Sequence, residues 1–227
     1  MSLLAASVLV GIFLAVFGQI YQTGADAYQL FVTWAYLIVI WTLINPFIPQ
    51  LILQIVLLNT ALLLFVMQTE PFDTDKVPLP LLFTGLNGVF LVIREWFEMK
   101  RVDWITRVWF RLLLAFATLI PMFFSLVIYI FDTSPAQSIL ISAGFGLWLH
   151  VILFGIYRYW IKDILTLALN LLSVTTLLVL YLFNLFTDRF DLNPTGVFLL
   201  MGLVTIALFG GLIVYLRVTQ QRFAHQC

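Results

Sequence analysis

The chain has 227 residues, of which 63% are apolar and 10% charged, and its mean hydropathy is +1.09. That leaves too little polar surface to cover a water-soluble globule and points to a membrane protein. Eleven basic and eleven acidic residues cancel, so no net field draws in nucleic acid or an acidic substrate. With one cysteine, Cys227, and two histidines, His150 and His225, there is no intramolecular disulfide, no zinc-ligand spacing and no cofactor motif.

Crossing about 30 Å of hydrocarbon takes roughly 20 helical residues. Apolar runs of this order recur along the whole chain, at about residues 3 to 20, 29 to 45, 50 to 67, 77 to 93, 108 to 131, 136 to 157, 164 to 186 and 195 to 216. The fourth is the least apolar. A barrel needs alternating strands of about ten residues, whereas these runs are apolar on every face. The reading is all-α: a polytopic helical membrane bundle of about eight transmembrane helices in a single domain.

In chain order, residues 3 to 20 lack a basic leader and a small-residue cleavage site, so they read as a retained span. Asn45-Pro46 with Pro49 breaks the second span from the third. Ser134-Pro135-Ala136-Gln137 offers an N-cap, a proline at the first helical position and a capping-box glutamine. Asp163 caps the seventh helix, and Asn193-Pro194 precedes the eighth.

Lysine and arginine are retained on the cytoplasmic side, whereas acidic residues count for little in that choice. With the N-terminus inside, the cytoplasmic face collects Arg94, Lys100, Arg101, Arg107, Arg111, Arg158, Lys162, Arg217 and Arg222. Lys76 and Arg189 fall outside. An even number of spans then places both termini in the cytoplasm. The outer loops hold Asp26, Glu70, Asp73, Asp75, Asp132, Asp188 and Asp191, read as a solvated rim, with a cation-collecting funnel as the alternative.

The polar stretch GQIYQTGADAYQLF, residues 18 to 31, separates the first two spans. Gly24 permits a left-handed turn, and Asp26-Ala27-Tyr28-Gln29 resembles a capping box. Tyr21, Tyr28 and Trp34 suit the headgroup belt or its inner margin. Gln19 is not needed by the turn and is expected to make an interhelical hydrogen bond. The segment GQIYQTGADAYQLFVTWA resembles the signature of a bacterial family of integral membrane proteins catalogued as domain of unknown function 2157. Weaker likeness runs through LLNTALLLF, LNGVFLVIREW and GLIVYLRVTQQRF. The resemblance implies a multi-pass inner-membrane protein of unassigned activity, with further residues and spans ahead of the Gly-Gln-Ile-Tyr segment in its relatives. It singles out Gly18, Gln19, Tyr21, Gly24 and Asp26 as a candidate functional turn.

Polar groups inside the spans form the second set of candidates, since they are costly in hydrocarbon and normally face the bundle interior. Asn59, Asn87, His150 and Asn170 lead it, with Gln54 and Asn184 beside them. Interhelical hydrogen bonds explain them plainly, and His150 also has the chemistry of a proton relay, although no carboxylate lies mid-span to serve it. Arg107 and Arg111, one turn apart, suit lipid headgroups, with Arg111 snorkelling to the interface. Ser138, Ser142 and Gly146, like Ala207 and Gly211, recur at helical spacing and suit internal packing or a dimer seam. Pro121 should kink the fifth span.

No catalytic, cofactor-binding or metal-ligating constellation emerges, and three function classes follow. A non-enzymatic envelope component working with lipids and unidentified membrane-protein partners fits best. A small-solute or ion transporter comes next, favoured by the acidic loops and Pro121 but lacking a visible inverted repeat. An intramembrane enzyme comes last, because no nucleophile with a base, metal set or carboxylate pair is grouped.

Overall fold

Eight helices long and apolar enough to cross a membrane follow one another among the described residues, which in this computed structural model are 2 to 21, 24, 26 to 44, 47 to 69, 78 to 189 and 194 to 224. They are α1 (Ser2–Tyr21), α2 (Ala27–Ile44), α3 (Ile48–Gln68), α4 (Leu79–Met99), α5 (Val108–Phe131), α6 (Gln137–Gly155), α7 (Ile164–Arg189) and α8 (Pro194–Ala224). A π-helical turn, Ile156–Trp160, continues α6. The all-helical, multi-pass reading holds.

Where boundaries differ from the sequence reading, charged and capping residues supply the reason. The fourth helix runs past Ile93 because Arg94 and Glu98, one turn apart, pair along it instead of ending it. It stops in a Schellman turn: Val102 N–H donates to Phe97 O at 3.1 Å and Arg101 N–H to Glu98 O at 2.9 Å, with Arg101 at φ 56° where glycine is usual. The eighth helix runs on to Ala224, and Phe223 lies under the Arg158 guanidinium at 5.3 Å. Asp163 caps α7 as expected, its Oδ2 accepting from Thr166 N–H at 3.0 Å.

The cap expected at Ser134 moves two residues on. Asp132 Oδ1 accepts from Ser134 N–H at 2.9 Å, which holds that segment as a turn, and Ala136 becomes the N-cap of α6. Pro49 sits in the first turn of α3, where a missing N–H costs nothing. Asn45-Pro46 and Asn193 lie outside the described residues.

The chain divides into two compact units, Met1–Asp73 with Val89–Phe110, and Thr74–Gly88 with Arg111–Cys227. In the first, Gln50, Gln54, Leu57 and Ala61 form the buried stripe of α3 at helical spacing. Leu57 packs with Ala35 and Ile38 of α2, and Trp34 and Trp41 flank them. In the second, Leu119 of α5, Leu153 and Tyr157 of the α6 arm and Leu167 of α7 form one core cluster, and Leu126, Ala143 and Leu177 form another. Lipid is as apolar as these side chains, so close packing and buried hydrogen bonds hold the helices together. Large apolar side chains accordingly remain on the outside, such as Trp148 and Ile206.

The small-residue stripe on α6 is internal: Ser138, Ser142 and Gly146 are buried, and a Cβ on Gly146 would lie 3.2 Å from Leu126 Cδ1 of α5. The pair on α8 behaves differently. Ala207 and Gly211 are both exposed, and among the described residues nothing from another helix lies within 4 Å of where a Gly211 Cβ would be. Helix α5 continues through Pro121.

Candidate functional site

At the end of α1 and the start of α2, Gly18, Gln19, Gly24 and Asp26 line one groove of about 500 Å³, together with Gln29 and Thr33. Four of the five turn residues thus share a surface. Tyr21 is the last residue of α1, and its side chain lies outside the described residues. Gly24 has φ +63°, the left-handed conformation that its place in the turn requires. Asp26 O accepts from Gln29 N–H at 3.0 Å and opens α2. The first turn of α2 gains an unexpected cap from α3: Gln68 Oε1 accepts from Tyr28 N–H at 3.2 Å, while the Tyr28 ring meets Phe65 edge-on.

Among the described residues, Gln19 does not make the expected interhelical bond. Its side chain is exposed, because the helix ends two residues later and lets the amide reach the interface. Among the described residues the groove therefore presents two amides, one carboxylate and the Thr33 hydroxyl to the surroundings. It can accept and donate hydrogen bonds, but it contains no nucleophile paired with a base.

The intramembrane candidates make the following bonds. Asn59 Nδ2 donates to Ile55 O at 2.8 Å and Asn87 Nδ2 to Phe83 O at 2.9 Å, each back onto its own helix. His150 and Asn170 meet each other. His150 Nδ1 lies 2.7 Å from Asn170 Oδ1, and Asn170 Nδ2 donates to the His150 carbonyl at 3.0 Å. This two-point clasp ties α6 to α7 in a buried setting. Asn184 Nδ2 donates to Ile130 O at 2.8 Å and ties α7 to the last turn of α5.

The two arginines have different surroundings. Arg107 precedes α5 and is exposed, as headgroup contact requires. Arg111 is buried and paired with Asp163, Nη1 to Oδ1 at 3.3 Å, so it does not snorkel freely. The same aspartate caps α7 with its other oxygen, which joins α5 to the start of that helix.

Two further constellations are not evident from the sequence. The first centres on Ser7 of α1: Trp41 Nε1 donates to its hydroxyl at 2.8 Å, Gln50 Nε2 at 2.7 Å, and Trp34 Nε1 donates to its carbonyl at 2.7 Å. Gln50 also reaches Thr42 Oγ1 at 3.2 Å, and Gln54 Nε2 donates to Ala35 O at 3.1 Å. Trp34 is therefore an internal hydrogen-bond donor and not a headgroup anchor. The second centres on Arg94, whose side chain is 0% exposed. It pairs with Glu95 at 3.0 Å and with Glu98, and Nη2 donates to Thr106 O at 3.0 Å. The one signal for both was unused polarity on otherwise apolar helices.

No three His, Cys, Asp or Glu side chains gather as a metal site among the described residues. Comparison with protein-family models, with curated proteins and with solved structures yielded no match to this chain.

Proposed function

We propose that this protein is a non-enzymatic component of a bacterial inner membrane that works through lipids and membrane-protein partners. The observation that carries this reading is the destination of its intramembrane polar groups. Ser7, Gln50, Gln54, His150, Asn170 and Asn184 hydrogen-bond to neighbouring helices, so they act as joints between helices. The grooves beside α5, α6 and α7 are walled by leucine, valine and aromatic side chains, surfaces suited to hydrocarbon. The likeness of the Gly18 to Asp26 segment to domain of unknown function 2157 belongs to the same proposal.

Transport of a small solute or ion is the second reading, and the π-helical turn after α6 favours it, since such turns often mark functional positions. Affinity capture of the tagged full chain from solubilised membranes separates the two. A stoichiometric membrane-protein partner, with no solute or ion flux in proteoliposomes, is expected. Flux above that of empty vesicles, with no partner recovered, overturns the first reading in favour of the second.

The proposed orientation places both termini in the cytoplasm, with nine of the eleven basic residues on that side. Cys227, outside the described residues, is the chain's single thiol and reports the position of the tail. A membrane-impermeant maleimide at mildly alkaline pH is expected to spare it in intact spheroplasts and to modify it after permeabilisation. Strong labelling of intact spheroplasts reverses the orientation.

A further inference from the structure

More of the surface is polar in the groove between the end of α1 and the start of α2 than in the grooves beside α5, α6 and α7. Helical spacing brings this polarity together. Asp26, Gln29 and Thr33 follow one another at intervals of three and four residues, so they share a face at the start of α2, and Gln19 comes one turn after Ala15 on the lining stretch of α1. All four polar side chains are exposed. Gly18 puts no side chain into the space, and among the described residues nothing lies within 4 Å of where a Gly24 Cβ would be. The resulting volume of about 500 Å³ lies within the roughly 300 to 1,000 Å³ typical of small-molecule sites.

The chemistry of this wall is one-sided. Asp26 is its only charged residue among the described residues, and no cation among them pairs with its carboxylate. Gln29 turns its amide nitrogen toward Tyr28 Oη at 3.4 Å, which leaves Oε1 as the acceptor it can offer. Gln19 adds a second amide oxygen and Thr33 a hydroxyl oxygen. Leu14, Phe17 and Leu30 supply an apolar wall that runs away from the turn along the two helices.

We propose that this groove binds a primary ammonium group on an apolar stem, with the cation against Asp26, its N–H groups donating to Gln19 and Gln29 as well, and the stem along Leu14, Phe17 and Leu30. A primary ammonium is the match because it brings three donors, no acceptor and one positive charge. An anion would meet Asp26 with no cation among the described lining residues to offset it. One carboxylate among neutral groups falls short of the oxygen set a divalent metal demands, and a neutral alcohol gains nothing from the charge. The ethanolamine headgroup of a phospholipid and a free polyamine share the ammonium chemistry. The proposal goes beyond the membrane-component reading, which assigns no ligand, and it stands whether or not a protein partner is found.

The test uses the full chain in phosphatidylcholine nanodiscs, with tritiated n-hexylammonium as the probe and empty nanodiscs as the blank. Saturable binding is expected. Hexyltrimethylammonium keeps the charge without N–H donors, and 1-hexanol keeps a donor without the charge, so each should compete about tenfold less well than unlabelled hexylammonium. Asp26→Asn preserves the backbone bond from Gln29 N–H to Asp26 O and should weaken binding about tenfold, and Gln19→Leu about threefold. Ala27→Trp places an indole in the groove from an exposed position and should abolish binding while thermal unfolding stays unchanged. Lysophosphatidylethanolamine and spermidine then compete against the probe, and the tighter competitor identifies the source of the ammonium. Equal competition by hexylammonium, its trimethyl analogue and hexanol, undiminished binding to Asp26→Asn, or displacement by neither natural class overturns the proposal. The selectivity of the wild-type protein decides even where a variant fails to fold.

Discussion

Gly11→Ala is expected to destabilise the protein by about 2 to 3 kcal/mol, although the same substitution in an exposed helix would stabilise it by about 1 kcal/mol. The sign is what decides. A Cβ at Gly11 would lie 2.4 Å from Cζ2 of Trp34, far inside contact distance. The indole has little room to yield, because its Nε1 donates to Ser7 O at 2.7 Å on the same helix as Gly11. Moving the ring breaks that bond and disturbs the cluster in which Trp34 packs against Ala35, Ile38 and Leu57. The measurement is thermal or denaturant unfolding in detergent, run as a double-mutant cycle with Trp34→Leu, which deletes the opposing ring atoms. In the Trp34→Leu background, adding Gly11→Ala should cost nothing or help, giving a coupling of about 2 kcal/mol. A stabilised Gly11→Ala single variant, or two additive substitutions, contradicts the close approach of α1 and α2.

This contact also shows what the sequence could and could not disclose. Eight spans are legible because a run of apolar residues is a one-dimensional property, and the structure places helices on all eight. The cap at Asp163 and the left-handed Gly24 are local, so they are legible too, whereas at Asp26 the bond seen is a backbone one, from Gln29 N–H to Asp26 O. Gly11 looks like any glycine in an apolar helix until Trp34, 23 positions later, is seen opposite it. Likewise His150 and Asn170 can each be picked out as costly polar groups, but their pairing depends on the rotation of α6 against α7. Arg111 follows the same rule: from the sequence it is a cation near a helix start, and only the fold brings Asp163 to it. In a membrane bundle the apolar pattern does not reveal which face is internal, because lipid and protein interior are equally apolar. Packing partners therefore stay hidden while spans are plain.

Arg94→Met is expected to cost about 3 kcal/mol and to loosen the segment that follows α4. The side chain is fully buried, and its two terminal nitrogens hold three groups: Glu95, Glu98 and the carbonyl of Thr106. Methionine fills much of the space but offers those groups no donor. The cost sits near the lower end for a broken buried pair because the Glu95 and Glu98 side chains are 15% and 37% exposed and regain some hydration. The bond to Thr106 matters most for local order. It lies beyond the Schellman turn, in which Arg101 already occupies a left-handed conformation at φ 56°. Without the guanidinium, the strained turn and residues 102 to 107 lose their anchor to the helix, and amide hydrogen exchange there should accelerate at least tenfold. Arg94→Lys keeps the charge, but an ammonium lacks the planar fork needed to serve the carboxylates and the carbonyl together. The expected stability order is therefore Arg, Lys, Met. Neutralising the carboxylates separates charge from packing, because Glu95→Gln with Glu98→Gln should recover part of the Arg94→Met loss by removing the charges that the guanidinium offset. If Arg94→Met matches the wild-type protein in unfolding and in exchange across residues 100 to 107, the guanidinium does not anchor this segment.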